Sequence, residues 1–244
     1  MTEFKISSGS QDIDNWINSG YDKDIITTIY GPAGSGKTNF CMLATVQQVK
    51  NSNKVIFIDT EGGFSTERFK QIAGENYQQL MKNVLLLKPT SFQEQKKNFE
   101  ILLKELNQNS NINLIIVDGM TMLYRLELSD AIQLKNDFKI QTANRELARQ
   151  LRTLAEISRK KNIPVIITNQ VYYDFLKQDD FFKPQERQAN MVGGDLLKYW
   201  SKCHIELKFH GGKRTAVLKK HRSIPEKELS FIIVNSGIKK RGIF

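Results

Sequence analysis

The chain has 244 residues, of which 40% are hydrophobic and 25% are charged, enough apolar material for one large domain or two small ones. This composition excludes a collagen-like, disulfide-scaffold or wholly disordered protein. The net charge is +10, and residues 201–244 hold eleven Lys and Arg against three Glu. A basic end on a nearly neutral body is typical of a polyanionic partner such as nucleic acid, but it also fits an ordinary solvated surface.

Short apolar runs alternate with helical patterns along the first 170 residues. The runs are typical of parallel strands covered on both faces, and they occur at residues 25–30, 55–59, 84–87, 114–118 and 165–169. Helices are predicted between them, at about residues 37–51, 66–73, 91–108 and 130–162. This alternation predicts an α/β fold in which helices flank a central, mostly parallel sheet.

The pattern changes after residue 192. Ile205, Leu207 and Phe209 alternate with polar residues, which predicts a half-buried strand. Gly211-Gly212 then predicts a tight hairpin, and residues 229–234 a further strand. We therefore expect an antiparallel C-terminal extension of the sheet. Because no linker, low-complexity tract or repeat divides the chain, we predict a single domain over residues 1–244.

The two cysteines, Cys41 and Cys203, are too few for a disulfide framework and lack metal-ligand spacing. They indicate buried thiols in a reducing compartment. The first residues lack the pattern of a secretory signal, and the chain holds no run of 18 apolar residues that would predict a membrane-spanning helix. We expect a cytoplasmic protein without membrane contact.

A phosphate-binding loop is predicted between the first strand and the helix after it. The pattern G-x-x-x-x-G-K-[ST] is matched in full by Gly31, Pro32, Ala33, Gly34, Ser35, Gly36, Lys37 and Thr38. Backbone N–H groups of such a loop surround phosphate oxygens, the lysine neutralises the β- and γ-phosphates, and the Thr hydroxyl coordinates Mg²⁺. Asn39 stands where a dinucleotide-binding fingerprint would continue with glycine, which disfavours that fold. The motif predicts ATP and Mg²⁺ as cofactors.

Polar residues end three other strands at the same predicted edge of the sheet. Asp118 closes an apolar strand in the Walker B pattern and is our candidate for holding the Mg²⁺ water shell. Glu61, in the turn after the second strand, is placed to polarise the water that attacks the γ-phosphate; alternatively, it is a solvated turn residue. Gln170 is placed to sense the γ-phosphate, or it belongs to an ordinary strand-ending turn.

These sites, in this order, resemble the RecA/RadA recombinase superfamily. Residues 57–64, followed by Glu67-Arg68, are similar to the recombinase segment that bears the catalytic glutamate, and residues 165–171 to its switch-glutamine strand. Residues 6–10 and 193–195 also match. The resemblance covers nearly the whole chain and implies a RecA-like P-loop ATPase core that binds DNA and acts in DNA repair and homologous recombination.

Two departures narrow the resemblance. Residues 4–7 lack the Phe-x-x-Ala oligomerisation motif, and little sequence precedes the core, so we expect no N-terminal helical domain. Residues 220–226 replace the Asp-Ser-Pro segment that recombinases place against a neighbour's ATP. Both features are similar to a short archaeal paralogue of RadA. That resemblance implies weak ATP hydrolysis and a regulatory or mediator role without independent strand exchange, with the RadA recombinase and a Holliday-junction resolvase as candidate partners.

Two groups of residues are candidates for DNA contact, with single- or double-stranded DNA. Residues 171–192 are predicted to form a loop whose five aromatic residues could stack on bases, but its net charge of −1 equally fits a partner-docking or self-packing loop. Basic side chains at the hairpin tip and the tail are better candidates for phosphate contact; they are Lys213, Arg214, Lys239, Lys240 and Arg241.

Lys220 and Arg222 are two residues apart and would share one face of an extended segment. We hypothesise that they reach the ATP of a neighbouring subunit in a homo-oligomer. The alternative is a basic edge that prevents strand pairing. For the whole chain, two other functions stay open: an active, filament-forming DNA-dependent recombinase, and a signalling ATPase or kinase resembling KaiC.

Overall fold

The computed structural model describes residues 4–172, 190–191 and 194–242. Strands and helices alternate through most of this part of the chain. In chain order the elements are β1 (Lys5–Ile6), α1 (Gln11–Trp16), β2 (Tyr21–Asp22), β3 (Ile26–Gly31), α2 (Lys37–Lys50), β4 (Lys54–Asp59), α3 (Thr66–Ala73), α4 (Tyr77–Met81), β5 (Val84–Leu87), α5 (Phe92–Gln108), β6 (Ile112–Asp118), α6 (Met122–Gln133), α7 (Asp137–Lys161), β7 (Val165–Tyr172), β8 (Asn190–Met191), α8 (Gly194–Trp200), β9 (Ser201–His210), β10 (Lys213–Lys220), β11 (Lys227–Val234) and β12 (Gly237–Lys240).

One large sheet organises the described residues, with the strand order β12-β11-β10-β9-β3-β7-β6-β4-β5 and β8 paired to the end of β7. The strands from β9 to β5 run parallel to one another, whereas β9 to β12 form antiparallel pairs. The predicted α/β fold and its antiparallel C-terminal extension are therefore confirmed. β1 and β2 form a separate antiparallel pair.

The central strands β4 and β6 are apolar through most of their length, because helices cover both faces of the sheet. In β6, Leu114, Ile115, Ile116 and Val117 are all fully buried. Leu114 and Ile116 belong to the core beneath α2 and α3, whereas Ile115 and Val117 belong to the core beneath α5, α6 and α7. Successive side chains of a strand point to opposite faces, so β6 contributes to the apolar cores on both sides of the sheet. Polar side chains are then accommodated at the strand ends.

The prediction of one helix over residues 130–162 is wrong, because two helices occupy this region. α6 ends at Gln133 and α7 begins at Asp137. Lys135 between them has a φ of +49°, and the Asn136 side chain caps α7 by accepting a hydrogen bond from the Lys139 backbone N–H at 3.0 Å. Apolar residues such as Ile132, Leu134 and Phe138 continue across this break in the sequence, although the structure leaves them exposed, so hydrophobic spacing did not reveal it.

The predicted loop 171–192 is shorter than expected at both ends. Val171 and Tyr172 pair with Met191 and Asn190 in an antiparallel ladder. Residues 173–189, with most of the aromatic residues considered for base stacking, lie outside the described residues.

The two ends of the described chain meet beside the sheet. The Ser10 hydroxyl donates to the Ile238 carbonyl oxygen at 2.8 Å, and the Lys240 backbone N–H donates to the Asp12 carboxylate at 2.7 Å. These bonds fasten the loop before α1, and α1 itself, to the edge strand β12.

The cysteines are free and buried, as predicted, and burial raises the pKa of the Cys203 thiol to about 12. Among the described helices, none combines the length and the apolar character that crossing a membrane requires.

Candidate functional site

The phosphate loop connects the end of β3 to the start of α2. Gly36, which precedes α2, has a φ of +110°, a conformation that side-chain-bearing residues rarely adopt. The Lys37 ammonium donates to the carbonyl oxygens of Gly31 and Pro32 at 2.9 and 3.0 Å. Burial lowers the pKa of Lys37, while the carboxylates of Glu61 and Asp118 act to raise it. The loop thus holds its lysine inside the fold and close to two acidic groups.

Asp118 accepts two hydrogen bonds from threonine hydroxyls. Thr38 donates to Oδ2 at 2.7 Å, and Thr168 of β7 donates to Oδ1 at 2.6 Å. The side chain is almost fully buried, and this burial raises the pKa of Asp118 to about 6 in spite of the two bonds. A buried carboxylate in this position gains from a nearby cation, because a positive charge lowers the cost of its ionised form.

The turn that carries Glu61 is shaped by the aspartate before it. The Asp59 carboxylate accepts hydrogen bonds from the backbone N–H groups of Gly63 and Phe64, both at 3.0 Å. The Thr60 hydroxyl donates to the carbonyl oxygen of Gly119 at 2.7 Å, which ties the turn to the residue after Asp118. These contacts place Glu61 at the same sheet edge as the phosphate loop.

Gly119 is a site residue that sequence reasoning missed. Its φ is +91°, and a Cβ at this position would lie 2.3 Å from Thr60 Oγ1 and 2.7 Å from Glu61 Cγ. Only glycine fits here, because the backbone passes directly beneath the Glu61 turn. Its position immediately after Asp118 was the signal in the sequence that could have indicated this role.

Gln170 and Glu61 are brought together by the structure. The Gln170 side-chain amide donates to Glu61 Oε2 at 3.0 Å. A cavity of about 10 Å³ lies against both residues and against Thr121 and Asn169, close to the space that one water molecule needs. The hydrogen bond fixes the Glu61 carboxylate at the sheet edge that carries the phosphate loop, which is the placement that a general base for a water needs.

The residues present fit a magnesium nucleotide. Thr38 and Asp118 supply oxygen donors, the ligand type that Mg²⁺ prefers. Ser35 lies inside the loop, and its Oγ is a buried polar atom for which the described part of the chain offers no hydrogen-bond partner. A phosphate oxygen would supply that missing acceptor.

Arg214, predicted to contact DNA, lies against the phosphate loop; its contact with DNA stays a prediction. Its guanidinium donates to the Gly34 carbonyl oxygen at 3.2 and 3.3 Å, and it stands over the Phe209 ring at 4.3 Å. Both residues belong to the β9–β10 hairpin, which follows directly beside β3. The hairpin is therefore in contact with the loop expected to bind ATP.

Arg68, which sequence reasoning used only as part of a resemblance, connects three elements. Its guanidinium donates to the Asn39 side chain at 2.8 Å and to the Val234 carbonyl oxygen at 2.9 Å. Asn39 follows the phosphate loop directly in α2, and Val234 ends β11. Arg68 thus fastens the outermost hairpin of the sheet to the helix that begins at the phosphate loop.

Lys220 and Arg222 lie at the opposite end of the sheet from this chain's own phosphate loop, because β10 runs antiparallel to β9 and β9 runs parallel to β3. Lys220 donates to the Lys198 carbonyl oxygen at 3.3 Å. Arg222 lies beyond the end of β10 and makes a bidentate pair with Asp24 at 2.6 and 2.7 Å, which raises the pKa of the guanidinium. Contact with a neighbour's ATP stays a prediction for both residues.

The fold and the site point to one class of protein. Residues 2–241 match the family model described as Rad51, and the chain belongs to this family. Among individual proteins, it is 44% identical over 218 residues to the DNA repair and recombination protein RadB of Methanocaldococcus jannaschii, covering 89% of this chain and 93% of that protein. It is 39% identical to the RadB of Methanobrevibacter smithii over 93% of this chain and 92% of that protein. A solved structure described as the RadB recombinase is similar with a TM-score of 0.74, at 33% identity, over 97% of this chain and 99% of that one.

Proposed function

We propose that the chain is an ATP- and Mg²⁺-binding, DNA-binding protein of DNA repair and homologous recombination, with the role that the name RadB describes in its relatives. It hydrolyses ATP slowly and regulates recombination without independent strand exchange. The observation that carries the nucleotide part is the chain of hydrogen bonds from Thr38 through Asp118 to Thr168, directly beside the phosphate loop. The names of the relatives support the recombination part.

Nucleotide binding follows from the residues of the loop and from Asp118. Backbone N–H groups at the start of α2 donate to phosphate oxygens, assisted by the positive end of the helix dipole. Lys37 exchanges its two carbonyl partners for the β- and γ-phosphates. Thr38 and Asp118 would hold Mg²⁺, which supplies charge neutralisation at the transferred phosphoryl group.

Glu61 and Gln170 have different roles in the attack of water on the γ-phosphate. Glu61 orients the attacking water and accepts its proton, while Gln170 holds the Glu61 carboxylate through the 3.0 Å hydrogen bond. Gln170 is also part of β7, which continues to Tyr172 and the residues that follow. A nucleotide that moves Gln170 would therefore move that segment. This link suits a protein in which ATP acts mainly as a conformational ligand.

Within this proposal, the chain acts in the cytoplasm as a single RecA-like domain that is able to form homo-oligomers. The basic C-terminal strands contact single- or double-stranded DNA through phosphates. The RadA recombinase and a Holliday-junction resolvase are the proposed protein partners. Lys220 and Arg222 are proposed to reach a neighbour's ATP in the oligomer, which requires Arg222 to leave Asp24.

A second candidate is an active, DNA-dependent recombinase that forms filaments. The pairing of Gln170 with Glu61 favours it, because a positioned carboxylate is what rapid hydrolysis needs. For a KaiC-like kinase the described residues offer no comparable observation, since Arg222 is paired with Asp24.

ATP turnover with and without single-stranded DNA separates these functions. Slow turnover that DNA does not change supports the regulatory protein, whereas strong stimulation by DNA supports the recombinase. Transfer of phosphate from ATP to protein, without DNA binding, would support the kinase. The variant Lys37→Ala serves as the control for contaminating ATPases, because it removes the cation that the phosphates require.

A further inference from the structure

The two residues that follow β6, Gly119 and Met120, are held by groups from three other elements. Thr168 of β7 accepts hydrogen bonds from both backbone N–H groups, through its hydroxyl for Gly119 at 2.7 Å and through its carbonyl oxygen for Met120 at 3.0 Å. The Gly119 carbonyl oxygen accepts from the hydroxyl of Thr60, in the turn after β4. The Met120 carbonyl oxygen accepts from the side-chain amide of Gln95 in α5 at 3.3 Å. This segment is therefore fixed from the sheet edge on one side and from the helix layer on the other.

Gln95 lies on the buried face of α5, among apolar side chains. The buried residues of this helix recur every three or four positions and are Phe92, Gln95, Phe99, Leu102 and Leu106. Gln95 is fully buried, and within the described part of the chain its Oε1 has no hydrogen-bond partner. A buried polar atom without a partner lowers stability, so an apolar side chain here would favour the folded state more. What the glutamine contributes is the pair of hydrogen bonds that its Nε2 donates.

The orientation of the Gln95 amide is set by Gln150, which is also fully buried and belongs to α7. Gln95 Nε2 donates to Gln150 Oε1 at 2.8 Å, and Gln150 Nε2 donates to Glu146 Oε1 at 2.9 Å. Glu146 in turn accepts from the Arg149 guanidinium at 2.7 Å. An amide nitrogen has two hydrogens. One of those on Gln95 is directed to Gln150, and the other is left for the Met120 carbonyl oxygen.

We propose that Gln95 is a positioning residue for ATP hydrolysis and that Gln150 orients it. The inference rests on the ATP hydrolysis proposed above and adds two residues that contact neither nucleotide nor metal in it. By holding the Met120 carbonyl, Gln95 fixes the height of the segment that passes directly beneath Glu61. That segment is in close contact with the carboxylate's side chain, since a Cβ on Gly119 would lie 2.7 Å from Glu61 Cγ. A displaced segment would therefore displace the base.

The effect falls on the rate of hydrolysis and not on nucleotide affinity. The Asp118 carboxylate, our candidate for holding Mg²⁺, is fastened by the hydroxyls of Thr38 and Thr168. Gln95 acts instead on the backbone beyond Asp118, from below the Glu61 turn. A displacement of about 1 Å in a reacting group costs up to about 10²-fold in rate. Loss of the Gln95 contact should therefore move Glu61 and leave the phosphate loop and the metal site in place.

Gln95 and Gln93 provide a matched pair for the test, because both are on α5 and Gln93 is exposed. Single-turnover ATP hydrolysis measures the rate, and a fluorescent ATP analogue measures the dissociation constant. We expect Gln95→Leu to lower the rate by about 10-fold while the dissociation constant changes by less than about twofold. Gln150→Leu should lower the rate by about threefold, because Gln95 keeps its donor but loses its orientation. Gln93→Leu should change neither quantity.

The double variant Gln95→Leu with Gln150→Leu separates positioning from a merely structural role. Removing one partner leaves a buried amide unpaired, whereas replacing both by apolar side chains removes that penalty. The double variant should therefore unfold at a higher temperature than Gln95→Leu, yet hydrolyse ATP as slowly as Gln95→Leu. A purely structural role predicts that the rate recovers together with the unfolding temperature. The double variant also decides the question where Gln95→Leu alone does not fold.

The outcomes distinguish this inference from the proposed function. If the natural chain turns over ATP no faster than Lys37→Ala, the proposed hydrolysis is refuted. If it turns over ATP above that control, an unchanged rate in Gln95→Leu overturns the positioning role and leaves hydrolysis in place. A loss of ATP affinity in place of a loss of rate, or recovery of the rate in the double variant, overturns it as well.

Discussion

Replacing Asp118 by Asn should stabilise the free protein at neutral pH while abolishing its response to magnesium nucleotide. Burial raises the pKa of Asp118 from 3.8 to about 6, so above that pH the buried ionised carboxylate lowers the free energy of unfolding. Asn has nearly the same shape and carries no charge. The two threonine hydroxyls that now donate to Asp118 can rotate, so that one of them accepts from the new amide.

The size of the effect follows from linkage. The difference between about 6 and 3.8 corresponds to about 3 kcal/mol of unfolding free energy. The folded state holds its proton more tightly than the unfolded state, so this contribution is fully present below pH 3.8 and is lost as the pH rises through about 6. Asp118→Asn should therefore match the natural chain near pH 4 and exceed it by up to about 3 kcal/mol at pH 8.

Urea denaturation at several pH values measures this difference directly, and the other titrating groups cancel between the two proteins. Adding Mg²⁺ and ATP at pH 8 should reverse the order, because only the natural chain binds the metal nucleotide through Asp118. A stability difference that does not change between pH 4 and pH 8, or an Asn variant that is less stable at pH 8, would refute the reasoning. Either result would mean that the hydrogen bonds and charges around Asp118 already offset the cost of burying its ionised carboxylate.

Three further variants test other parts of the site. Glu61→Gln should slow ATP hydrolysis by about 10²-fold or more and leave the nucleotide dissociation constant unchanged, as single-turnover and fluorescent-nucleotide assays would measure; equal turnover would remove Glu61 as the base. Gly119→Ala should lower the unfolding free energy by about 3 kcal/mol, through left-handed strain and the 2.3 Å approach to Thr60; a loss below about 1 kcal/mol contradicts that close contact. Arg214→Ala should weaken ATP binding about fivefold through a looser phosphate loop, with Arg214→Lys restoring part of it; an unchanged ATP affinity would show that the contact with Gly34 plays no role.

Much of the candidate site was predictable because of how parallel sheets are built. Three of the apolar strands, β4, β6 and β7, carry polar residues at or just after their carboxyl ends, and the carboxyl ends of parallel strands meet at one edge. That rule was enough to expect Asp118, Glu61 and Gln170 near the phosphate loop, and the structure brings them there. The rule names strand ends but not their hydrogen-bond partners. The hydrogen bond from Thr168 to Asp118 was therefore not predicted, although Thr168 lies only two residues before Gln170.

The contacts that escaped prediction join residues far apart in the sequence. Arg222 is 198 residues from Asp24, and no local pattern indicates that they pair. The hairpin shows the same limit in another form. Lys213 and Arg214 were predicted together as DNA contacts at the hairpin tip, but only the register of Arg214 with Phe231 shows that Arg214 is on the side of the core. The break between α6 and α7 was hidden because apolar residues continue through it in the sequence, among them Ile132, Leu134 and Phe138, which the structure leaves exposed.

The bonds that join Ser10 to Ile238 and Asp12 to Lys240 constrain how the protein is made. Each spans 228 residues, so the loop before α1 and the helix itself stay without their partner strand until translation has passed residue 240. The phosphate loop is synthesised early, whereas the strands that carry Arg214 and Val234 follow much later and β12 comes after both. Folding can therefore finish only after β12 has left the ribosome, because the contacts of Ser10 and Asp12 with β12 cannot form sooner. A nascent chain stalled before β11 would hold the nucleotide-binding sequence without the scaffold that shapes it.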